Sequence, residues 1–101
     1  MTQSEARHMA AVQSLGCIVC RNLGLGPTPA EIHHPLKNGR RMGHKYVLPI
    51  CFLHHRKGVN TDQHVSRHPW KREFERRYGT ERELLGQTER DLAMMAKGKA
   101  A

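Results

Sequence analysis

A single small α+β domain with short strands is the fold class this sequence predicts, and three observations predict it. The chain has 101 residues, enough for one domain with a modest core and too few for two. Helical patterning occupies both ends, while the middle holds only short apolar runs cut by proline and glycine. Hydrophobic residues make up 38% and aromatics 5%, a lean supply for a core, so a covalent or metal brace is expected. Cys17, Cys20 and Cys51 are an odd number of thiols and cannot all pair within the chain, which argues against a secreted disulfide framework. Residues 1–101 therefore read as one domain.

Each element follows from local pattern. Residues 4–15 read as a helix, with Met9 and Val12 and the flanking Ala11 and Leu15 as a weak apolar stripe, ended by Gly16. Cys17-Ile18-Val19-Cys20 is a tight turn with two thiols, and residues 22–29 are rich in Gly and Pro and read as loop. Residues 30–35 make a short strand stopped by Pro35. Residues 37–45 read as a basic loop. Residues 46–50 form a second strand leading to Cys51 and a helical turn through Lys57, and residues 58–69 are irregular. Pro69 fits a first helical position, and Trp70, Phe74 and Tyr78 recur at four-residue spacing as one buried face, read as core and not as a base-stacking platform. Gly79 closes that helix. Thr80 and Glu83 form a capping box for the last one, whose buried face is Leu84, Leu85, Leu92 and Met95; residues 97–101 read as a frayed tail.

Charge narrows the function classes. Lys plus Arg number 17 against 9 for Asp plus Glu, a net +8 that points to a polyanionic partner. No apolar run approaches the roughly 18 residues of a membrane helix, and the N-terminus has no signal-peptide stretch, so a soluble, cytoplasmic protein is expected. Between Ile32 and Thr61 there is no acidic residue, while Lys37, Arg40, Arg41, Lys45, Arg56 and Lys57 fall there; that one-sided run reads as a phosphate-binding surface. Lys71, Arg72, Arg76 and Arg77 alternate with Glu73 and Glu75 and read as a solvated helix face. Nothing in the pattern would read base edges in a groove, so weak sequence preference is expected.

The brace is legible in the thiols. Cys17-x-x-Cys20 and Cys51-x-x-His54 are two half-knuckles about thirty residues apart. Structural zinc takes four N or S ligands, usually two from each of two tight turns, and three thiolates with one imidazole close the site. Free cysteines in a reducing compartment are the plainer alternative. A redox CxxC is disfavoured because no βαβ pattern surrounds it. Seven of the eight histidines lie between His33 and His68. Neighbours on a helix diverge by about 100°, so His54 can face the zinc while His55 faces another site. His33 and His34 converge on one region only where the strand twists or breaks at Pro35. His8 reads as a surface residue and His68 as the residue ahead of a helix start.

These residues resemble a known motif. Cys-x-x-Cys, then Ile32-His33-His34-Pro35, then Leu48-Pro49-Ile50-Cys51-Phe52-Leu53-His54-His55 is similar to the HNH (ββα-metal) endonuclease motif in its zinc-braced form, with His54 where many members carry a fourth cysteine. The likeness extends over roughly residues 9–85, through His64, Trp70, Phe74 and Tyr78-Gly79-Thr80-Glu81 with Leu84-Leu85, to small phage and prophage RecA-dependent, Ref-like nucleases. The resemblance implies a zinc-braced HNH-type ββα domain with flanking helices, a DNA endonuclease leaving a 3′-hydroxyl and 5′-phosphate, Mg2+ or Mn2+ as working ion, and a RecA filament as partner. It also implies roles. His34 would be the general base, His33 the first metal-ligand position and His55 the second, closing the motif on the helix. The middle Asn of the motif would fall at Tyr46, so His44 is the better candidate for that position, and His64 is a further candidate ligand.

The residue types suit that chemistry independently. Phosphodiester hydrolysis needs a base neutral near pH 7, which imidazole supplies, and a divalent cation stabilises the leaving oxygen. A zinc-stabilised DNA-binding module without catalysis is the alternative. A protein-interaction zinc domain fits the charge less well.

Overall fold

The computed structural model describes residues 1–100. Helix α1, Gln3–Ser14, opens on a capping box in which the Thr2 hydroxyl accepts from Glu5 N and the Glu5 carboxylate accepts from Thr2 N. Gly16 ends the run after it at φ +76°, and a Cβ there would stand 3.2 Å from the Thr28 carbonyl oxygen. That close approach brings Cys17 N onto Thr28 O at 2.9 Å and fixes where the first thiol begins. The CxxC turn is the entry to a second helix, α2, Ile18–Asn22, with the Cys17 sulfur accepting from Cys20 N.

Strand β1, Glu31–His33, leads through a hairpin of β2, Leu36–Lys37, and β3, Arg40–Arg41, to β4, Leu48–Ile50, and then directly to helix α3, Phe52–His55. β1 and β4 pair antiparallel with Glu31 opposite Ile50, Ile32 opposite Pro49 and His33 opposite Leu48. The basic segment expected as loop is partly strand. Asn38 and Gly39 both take positive φ, as a two-residue hairpin turn requires, and Asn-Gly is the residue pair that adopts it most cheaply.

Helix α4 is Lys71–Tyr78 and helix α5 is Glu81–Ala100. Pro69 is thus not the first helical residue: Trp70 holds the cap position at φ −94°, ψ 48°. Because that backbone is non-helical, the Trp70 ring leaves the stripe of Phe74 and Tyr78. It stands 43% exposed, its indole Nε1 donating to Gly58 O. The Thr80–Glu83 box forms as read, with Thr80 N and Glu83 N bonded to each other's side chains. Leu84 is buried, whereas Leu85, Leu92 and Met95 are half-buried. The helix runs on to Ala100 in place of the frayed tail; Ala101 lies outside the described residues. No helix among the described residues is long and apolar enough to cross a membrane.

The core gathers Ile18 and Val19 of α2, Leu48 and Ile50 of β4, Val65, Phe74 and Leu84 around the buried thiols. Phe74 packs edge-on against Tyr78, whose hydroxyl accepts from Val65 N at 3.1 Å. Phe74→Ala is expected to cost about 3–5 kcal/mol in a denaturant titration, and Trp70→Ala less, since Phe74 is fully buried whereas Trp70 is already 43% exposed.

Candidate functional site

Two clusters of ligand-type side chains flank α3. On one side Cys17, Cys20, Cys51 and His54 converge, all buried, with their ligand atoms within 4.8 Å of one another. Cys20 Sγ lies 3.8 Å from Cys51 Sγ, and His54 Nδ1 lies 3.6 Å and 3.3 Å from those two sulfurs. Thiolates about 2.3 Å from one ion at the tetrahedral angle stand about 3.8 Å apart, and a thiolate and an imidazole nitrogen about 3.5 Å. The four residues therefore fit a metal such as zinc. Burial pushes the Cys17 thiol up to about 12 and holds the His54 imidazole down to about 4, His64 adding to the latter effect. Buried thiols of that kind ionise only for a cation. With Nδ1 of His54 turned to the sulfurs, its Nε2 is the protonated nitrogen and donates to His64 Nδ1 at 3.2 Å. His64, expected beside His33 and His55, instead lies behind the thiol cluster, where it orients His54.

On the other side, the rings of His33, His55 and His68 form a near-equilateral triangle with centroids 5.0–5.2 Å apart. Their ligand atoms lie within 4.8 Å of one another, so this trio could also hold a metal. The triangle opens into a cavity of about 390 Å³, whose wall includes His34, Arg41, Arg56 and Arg67. His54 and His55 part company as their 100° offset on α3 requires. β1 ends at His33, and that break lets His34 turn toward the same cavity as His33. His34 Nε2 meets His44 Nδ1 at 3.1 Å. Burial, with Arg41 and His44 nearby, keeps His34 below its ordinary value; burial does the same at His55 and His68. These imidazoles are held neutral, the form that binds a cation or accepts a proton.

A family model described as recombination enhancement, RecA-dependent nuclease, matches residues 1–93. The chain belongs to this family. No curated protein matches it. The RecA-dependent nuclease family is one of hydrolases that act on DNA, and its description ties it to RecA and to recombination.

In this family member the expected basic residues divide. Arg41 and Arg56 reach the cavity, Lys37 and Arg40 stand on the exposed hairpin, and Lys57 is exposed beside α3. Lys45 is turned back to α1, where it donates to Ser4 Oγ at 2.7 Å. Arg56 is held by Glu31, which also accepts from His55 Nδ1 at 2.9 Å and so leaves His55 Nε2 for the triangle. Four contributors were given no role at the site by sequence alone: His68, read as preceding a helix start, Glu81, named only within the resemblance, and Glu31 and Arg67. His68 arrives because residues 66–68 run along the end of α3. Ser66 Oγ donates to Leu53 O, Arg67 N to His54 O and His68 N to His55 O, satisfying carbonyls a short helix leaves open. Burial would raise the Glu81 carboxyl, but the contacts of His33 and Arg67 outweigh it and hold it down to about 2. The acid at position 31 sits one residue outside the acid-free run, and nothing in local pattern marks the other three.

Proposed function

We propose that this protein is a divalent-cation-dependent DNA endonuclease of HNH (ββα-metal) type, guided to DNA in RecA filaments. The single observation that carries the reading is the triangle of His33, His55 and His68 opening into the same cavity as His34 and three arginines. The antiparallel β1–β4 pair followed by α3 matches the ββα order that such a motif needs. His33, His55 and His68 would hold the cation, and a cation bound there supplies charge stabilisation to the scissile phosphate and its leaving oxygen. Three nitrogen donors suit Mn2+ better than Mg2+, a harder ion that prefers oxygen. His34 takes a proton from the attacking water, with His44 orienting its ring. Arg41, Arg56 and Arg67 bind the phosphate oxygens. The basic hairpin, with Lys37 and Arg40, extends this surface along the DNA backbone. The thiol cluster, filled by zinc, braces α2 to α3.

The test is nicking of supercoiled plasmid and of single-stranded DNA, with Mn2+ or Mg2+, with and without a RecA filament. Cleavage by the wild type that disappears in His55→Ala and falls steeply in His68→Ala, at equal zinc content, is the expected result. Cleavage unchanged in both variants would remove the triangle from the chemistry. Salt-sensitive DNA binding without cleavage under any condition would leave a DNA-binding module.

A further inference from the structure

Glu81 is the one acidic side chain among the described residues that is fully buried, at 5% exposure. A glutamate in the first turn of a helix ordinarily faces water, where it favours the positive end of the helix dipole. This one points inward. Its carboxylate accepts from His33 Nε2. It also faces the Arg67 guanidinium, with Nε at 3.2 Å, and Lys71 Nζ at 3.6 Å. Its backbone is fixed too, since Glu81 N donates to Glu75 Oε2 at 2.8 Å. Arg67 is itself 7% exposed and lines the cavity.

We infer that Glu81 is a positioning residue for the cation site, accepting the Nε2 proton of His33 so that Nδ1 is left to the ion, and anchoring Arg67 in the cavity wall. The inference rests on the proposed role of His33 as a ligand. A histidine that gives one ring N–H to a carboxylate has its tautomer and plane fixed and its other nitrogen made more basic. Glu31 serves His55 in the same manner, and each glutamate also holds an arginine, but Glu31 is partly exposed whereas Glu81 works in a buried setting where hydrogen bonds to charge are stronger. The two residues joined here are 48 apart in the chain. The first turn of α5 therefore completes a site whose ligands all come from residues 33–68.

The experiment is calorimetric titration of Mn2+ into the zinc-loaded full chain, with zinc content and thermal melting measured on the same samples. The proteins are the wild type, His33→Ala, Glu81→Gln and the double variant Glu81→Ala with Arg67→Met, which avoids a buried unpaired guanidinium. His33→Ala should lose Mn2+ binding. Glu81→Gln, which keeps shape but not charge, should weaken it about tenfold, and the double variant up to about 100-fold, with zinc retained. A purely structural Glu81 would lower the melting temperature and leave the Mn2+ affinity of the folded protein unchanged; that result overturns the inference. So would loss of zinc and of the melting transition in both Glu81 variants. Wild-type binding by His33→Ala would instead overturn the reading of the cation site itself.

Discussion

Cys51→Ser is expected to abolish cooperative folding. The thiol of Cys51 stands 3.8 Å from Cys20 and 3.3 Å from His54, at the start of α3 and the end of β4, so it joins three elements at one point. Structural zinc contributes roughly 10–16 kcal/mol to small metal-braced domains, comparable with the whole of a domain's stability at about 5–15 kcal/mol. The apolar core around the thiols is small, and no disulfide assists it, since all three cysteines are free. Circular dichroism should show the wild type melting in one transition with one zinc per chain, and the variant without either. A strong chelator should reproduce the variant in the wild type. The direction with pH is fixed by the thiols. Burial raises Cys17 and Cys51, so each must give up its proton to a cation, and zinc affinity should fall as pH falls. An unchanged melting temperature in metal-free Cys51→Ser would mean that the core alone carries the fold.

His34→Ala is expected to reduce cleavage by about 10²–10⁴-fold, the usual worth of a positioned general base, while Mn2+ binding and folding persist. His34 lies in the cavity wall and outside both candidate ligand sets, so its loss should separate proton transfer from cation binding. Its proton affinity is lowered by burial, then by Arg41 and His44. A general base at His34 would act when neutral, so activity should be lost as pH falls through that lowered value. The acid limb of the rate profile should thus lie below the ordinary imidazole value of about 6.5. Single-turnover nicking across pH, for the wild type and Arg41→Ala, would check it. An unaltered rate in His34→Ala would assign the base elsewhere.

The two half-knuckles were legible because ligand spacing is a local property. A gap of two residues brings Cys17 to Cys20 and Cys51 to His54 within a single turn, whatever the rest of the chain does. The divergence of His54 and His55 follows from helix geometry in the same way. The Asn38-Gly39 pair also carried a local signal for a hairpin, which the surrounding basic residues obscured. Glu81 and His68 carried none. Glu81 resembles any first-turn acid until α5 packs against β4 and brings its carboxylate to His33, and His68 resembles any residue before a proline until its backbone docks on α3. Trp70 went wrong for a related reason: four-residue spacing places a ring on a helix face only if the residue itself is helical, and the cap is not.

The docking of residues 66–68 on α3 has a consequence for how such a site can change. Two of its three bonds are made by main-chain N–H groups, and the third by the Ser66 hydroxyl. The imidazole of His68 takes no part in holding its own backbone there. Position 68 is a socket delivered to the cavity by main chain, into which a carboxylate or an amide could be fitted with the scaffold untouched. At the proposed cation site, metal preference is thus expected to be separable from foldability, and replacing His68 alone should move the donor set from nitrogen-rich toward oxygen-rich.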